Sequence, residues 1–117
     1  MKVAFRCAAL GLALAMTCGS VQALIIRGSQ SCKEWTRERK ATKIPFEKAW
    51  LLGYLSGLAS GQNREFWGGP GTGLDRLEND YVYRRIDTFC ALNQNKNVVH
   101  AADQLFKERT GLLETQK

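Results

Sequence analysis

The chain is poor in the residues that mark many functional classes. It has one histidine, two prolines and four cysteines in 117 residues. A single histidine with so few cysteines is too small a ligand set for a closed structural zinc site, so no metal and no cofactor is expected. Beyond the N-terminal region no stretch reaches the 18 or so uninterrupted apolar residues of a membrane-spanning helix, so no stable membrane insertion is expected. The glycine-rich stretch at 68–73 (GGPGTG) lacks the Gly-Lys-Ser/Thr ending of a phosphate-cradling loop and has no strand before it. No serine sits on a strand-turn-helix elbow. Asp75, Glu78 and Asp80 are close in sequence but read as loop and capping carboxylates. No strand-like alternation and no internal repeat is present.

The first residues carry the strongest positive signal. Lys2 and Arg6 precede the apolar run AALGLALAM at 8–16, which has signal-peptide length. Val21-Gln22-Ala23 places small residues where a signal peptidase reads them, and the expected cut follows Ala23. The residues before Cys18, Ala15-Met16-Thr17, suit lipoprotein processing poorly. The reading is therefore a cleaved signal peptide over 1–23 and a single helical domain over 24–117, with its core at about 32–109. The expected location is the periplasm.

Cleavage would remove Lys2 and Arg6, leaving 15 basic and 11 acidic residues and a net charge of +4. Basic and acidic residues alternate along the chain, which argues against nucleic-acid binding. Cleavage would also remove Cys7 and Cys18, leaving Cys32 and Cys90. An exported chain with two cysteines reads as a disulfide, Cys32–Cys90.

Helical periodicity predicts an all-α fold, a small four-helix bundle closed by that one disulfide. The first helix covers about 32–40, after Ser29 or Ser31 as cap. The second starts with Pro45 in its first turn and runs through PFEKAWLLGYLSGLASG. Phe46, Trp50, Tyr54 and Leu58 recur every four residues along it, and so do Ala49, Gly53, Gly57 and Gly61. Interior glycine weakens a helix by about 1 kcal/mol relative to alanine. Gly53, Gly57 and Gly61, with Trp50 and Tyr54, are therefore read as a helix-packing face. The third helix runs from 79 or 80 to 92, with Val82, Ile86, Phe89 and Cys90 inward and Tyr81, Arg84, Arg85 and Asp87 on or near the other side. The fourth follows Asn97 as N-cap and ends near Gly111.

Phe66 and Trp67 either tuck back onto the core, which is the simpler reading, or form an exposed apolar spot. In the second case the surface expected to meet a partner joins the loop carrying Phe66 and Trp67 to the start of the third helix at Tyr81, Arg84 and Arg85. Aromatic and arginine side chains dominate interface hot spots, and the following glycines are read as making this loop adaptable.

Several of these residues carry a resemblance. Cys32 and Trp35, the Trp-Leu-x-Gly-Tyr-x-x-Gly core from Trp50 to Gly57, and Asp-x-Phe-Cys at Asp87 to Cys90 together resemble two groups of small periplasmic proteins, the HdeA-like and the Tai-type immunity families. The resemblance implies a helical bundle with one disulfide and no catalytic site. It implies a partner that is another protein: an unfolding client for the first group, a toxin for the second. The functional expectation is a non-enzymatic periplasmic protein that binds another protein. An acid-stress chaperone and a small periplasmic hydrolase are the alternatives. A second copy of the chain, as a homodimer, is a further partner to consider.

Overall fold

A computed structural model describes residues 26–41 and 44–112. The expected signal peptide and its cleavage site lie outside the described residues, as do residues 113–117.

Ser31 opens α1 (Cys32–Ala41) with a reciprocal cap. Its Oγ accepts from the Glu34 N–H at 3.1 Å, and Glu34 Oε2 accepts from the Ser31 N–H at 3.2 Å. Pro45 occupies the first turn of α2 (Pro45–Gln62), as expected, and Asn63 ends the helix in the left-handed region. The third helix, α3, spans Asn79–Leu92. The fourth, α4 (Val98–Thr110), starts on Asn97, whose side chain accepts from the Val99 N–H at 3.0 Å, and ends on Gly111 at φ 76°. Among the described residues there is no strand, only an isolated bridge between Ser31 and Asn97.

The packing order differs from the chain order. α1 lies on α3, α3 on α4, and α4 on α2. The described residues form an all-α four-helix bundle, and the Cys32–Cys90 disulfide ties α1 to α3 with a Cα–Cα distance of 4.7 Å. Trp35, Leu51, Leu55, Phe66, Ile86 and Phe106 are the largest fully buried side chains. Each stabilises the fold by roughly 1.5–3 kcal/mol through apolar area removed from water.

Before α1 the chain runs as a short strap. The Trp50 indole donates to the Arg27 carbonyl at 2.9 Å, the Val98 N–H to the Gln30 carbonyl at 2.9 Å, and the Cys32 N–H to the Lys96 carbonyl at 2.8 Å. Gly28 lies against the Trp50 ring at φ +84°, and a Cβ there would stand 2.6 Å from Nε1, so only glycine fits.

The glycine face of α2 needs correction. The core takes a different stripe of this helix, Leu51 and Leu55. Gly53, Gly57 and Gly61 are exposed, and nothing lies within 4 Å of where their Cβ atoms would sit. Among the described residues no neighbouring helix uses them for close approach. Trp50 and Tyr54 are half-buried, stacked on each other with centroids 5.2 Å apart, and pack through the strap and α4. Gly57→Leu is therefore expected to be no more damaging than Gly57→Ala. Both should raise thermal stability by up to about 1 kcal/mol through helix propensity. A melt of Gly57→Leu well below wild type would show that the face is covered.

Candidate partner-binding surface

The structure divides the expected surface. Phe66 is fully buried, stacked on Phe106 of α4 at 5.7 Å and edge-on to Trp67 at 4.9 Å. It is core and cannot touch a partner, because burial of a phenylalanine outweighs whatever an exposed position offers before a partner arrives. Trp67 is half-buried, and its indole donates to Ser56 Oγ on α2 at 3.0 Å.

The loop behind them is pinned rather than adaptable. Leu77 N–H donates to the Trp67 carbonyl at 2.7 Å and Gly69 N–H to the Leu74 carbonyl at 2.9 Å. Arg109 donates to the Phe66 carbonyl at 2.9 Å and to the Asp75 carbonyl. Gly68 sits at φ +73° with the Asp75 carbonyl where a Cβ would go. The glycines serve this closed turn.

Tyr81 and Arg85 belong to a separate cluster across α3 and α4. Arg85 donates to Tyr81 Oη at 3.0 Å and pairs with Glu108, which also accepts from Gln104 at 3.0 Å. The hydrogen bond to Glu108 raises the Arg85 guanidinium above its ordinary value. Burial pushes the Glu108 carboxyl up, but the hydrogen bonds from Gln104 and Arg85 outweigh it and hold the group below its ordinary value. Arg84 is exposed on the same helix. Among the described residues no hydrogen bond or ring contact joins Trp67 to Tyr81, Arg84 or Arg85.

Asp87, expected near the outer side of α3, is instead the polar centre of the α1–α3 contact. It accepts from Trp35 Nε1 at 2.8 Å and from Arg39 at 2.9 and 2.8 Å. That bond with Asp87 raises the Arg39 guanidinium. The register was available in the sequence. Trp35 follows Cys32 by three residues and Asp87 precedes Cys90 by three, so antiparallel helices joined at the cysteines meet again one turn on.

His100 is a capping residue. Its Nδ1 accepts from the Asn97 N–H at 3.1 Å, completing the box with the Asn97 side chain. It also borders a groove of about 470 Å³ between α2 and α4. There Tyr54 donates to Asp103 Oδ1 at 2.6 Å. Burial, then this bond, pushes the Tyr54 hydroxyl well above its ordinary value. The groove brings His100 and the Asp103 carboxylate together, and among the described residues its lining contains no serine, cysteine or threonine. Among the described residues no group of three His, Cys, Asp or Glu side chains is placed to hold a metal ion.

The most unusual surface is the outward side of α2. Phe46 is 84% exposed. Ala49, Gly53, Ser56, Gly57, Ser60 and Gly61 continue the same side toward the C-terminal end, all exposed. No charged residue occurs between Ala49 and Asn63. The helix ends its charges at Glu47 and Lys48, and Lys48 turns over the Tyr83 ring at 4.9 Å. No family model, curated protein or solved structure matches this chain.

Proposed function

We propose that this protein is non-enzymatic and acts in the periplasm by binding another protein through the outward face of α2. The observation that carries the reading is the 84% exposure of Phe46 at one end of an uncharged helix face. Phenylalanine on water forgoes burial, and exposed interior glycines weaken the helix by about 1 kcal/mol each. Among the described residues nothing covers this face, and a partner that did so would repay both losses. The absence of charge also means that covering it desolvates no ion. The leader expected at 1–23 and the resemblance to small periplasmic binding proteins support the same class. A toxin and an unfolding client are the two partner types that the resemblance implies.

A pull-down from periplasmic extract at neutral and at acid pH tests this, comparing the full chain with Phe46→Ser. The expected result is a partner retained by the wild type and lost with Phe46→Ser, whose melting temperature should barely change. A one-to-one complex at neutral pH identifies the toxin type. Client retention confined to acid pH identifies the chaperone type. Equal retention by both proteins would remove α2 as the binding face.

A further inference from the structure

We infer that α1 carries a second, electrostatic contact surface that fits an acidic helical segment of a partner protein. The inference is independent of the α2 face and rests on how α1 sorts charges that alternate in sequence. Lys33, Arg37 and Lys40 recur at helical spacing and are all exposed. They rise by about 6 Å and then about 4.5 Å along the axis, so they form one stripe. They border a concavity of about 800 Å³ that also includes Thr36 of α1 and Gln94 beyond α3.

The acids of α1 are held in hydrogen bonds to neighbouring groups. Glu34 borders the same concavity, but its Oε2 accepts from the Ser31 N–H and hydroxyl at 3.2 and 3.1 Å. Glu38 accepts from Gln30 Nε2 at 2.7 Å and approaches Arg37 only at 3.9 Å. The fourth cation of the helix core, Arg39, is turned inward onto Asp87. Among the described residues Lys33 and Lys40 therefore have no ion-pair partner and Arg37 has a long one. The floor between them is neutral and fixed, since Gln94 Nε2 donates to Thr36 Oγ1 at 3.2 Å and to the Cys90 carbonyl at 2.6 Å.

Three cations at one per turn match carboxylates at one per turn on a facing helix. The net charge of +4 left after cleavage, from 15 basic and 11 acidic residues, would steer an acidic segment toward this side. Nucleic acid is a poorer fit. The stripe is only about 10 Å long, room for two or three phosphates. The one aromatic of α1, Trp35, is fully buried and offers no base a stacking platform.

The test uses a labelled alanine-based helical peptide with glutamates at i, i+4 and i+7, titrated with the full chain by fluorescence anisotropy. The triple variant K33Q/R37Q/K40Q is compared with a charge-matched control, R64Q/R76Q/K107Q, which removes exposed cations from other elements. The expected result is a loss of roughly tenfold or more in affinity for the α1 variant and less than about twofold for the control. Raising salt to about 0.5 M should abolish the difference, as for exposed charges. Circular dichroism melts should be unchanged in both variants, because the substituted side chains are exposed. Equal loss in the two variants would reduce the effect to net charge and overturn the proposal. So would an α1 variant that binds as well as wild type. Tighter binding of a single-stranded oligonucleotide or of anionic vesicles than of the peptide, lost in the α1 variant, would reassign the surface.

Discussion

Replacing Cys32 and Cys90 together by alanine is expected to lower stability by about 4 kcal/mol. The bridge spans a separation of 58 residues, and opening a loop of that length returns roughly that much chain entropy to the unfolded state. For a domain of this size the melting temperature should fall by roughly 20 °C. A thermal melt followed by far-ultraviolet circular dichroism, with and without reductant, reads this directly. The contacts beside the bridge, Trp35 and Arg39 on Asp87, remain in the variant but do not restore the lost constraint on the unfolded chain. A double alanine variant melting within a few degrees of wild type would show that those contacts suffice.

The second large effect is expected at Phe66. Phe66→Ala should destabilise the protein by about 3–5 kcal/mol, the usual range for truncating a fully buried aromatic. It empties a site bounded by Phe106 and Trp67. Tyr81→Ala should change stability by no more than about 1 kcal/mol, because Tyr81 is 38% exposed. Urea titrations of the two variants separate core from surface within what the sequence presented as one patch. Comparable, small shifts in both would return Phe66 to the surface.

The four helices were legible because their ends are written locally. Pro45 and Asn97 mark starts, and Gly111 marks a stop. The inward face of α3 was legible too, since Val82, Ile86 and Cys90 recur against charged neighbours. The inward face of α2 was not. That helix carries almost no charge, so each of its stripes looks like a candidate for burial, and the one chosen by the fold, Leu51 and Leu55, has nothing in the sequence to single it out. Phe66 was left open between core and partner surface for a related reason. Its burial depends on a loop closing over Phe106 in another helix and on Arg109 pinning that loop, and no local pattern encodes such a return. The His100 cap was missed because the usual box has Glu or Gln at that position. The α1 stripe was hidden by alternation of sign along the chain, which the helix wraps into separate faces.

The packing order also constrains how the chain can reach its fold. Among the described residues α3 and α4, joined by residues 93–97, are the extensively packed pair that is consecutive in sequence. That hairpin closes the shortest loop and can form earliest, on the microsecond scale of local helical contacts. α1 and α2 must then each find their places across long intervening segments, α1 on α3 and α2 on α4, and each carries the larger entropic barrier of a distant contact. Once Cys32 and Cys90 are oxidised, the first of those searches is confined before folding begins. Oxidation should therefore govern the rate of assembly as well as its final stability, and a chain kept reduced should collapse around α3 and α4 with α1 the last element to dock.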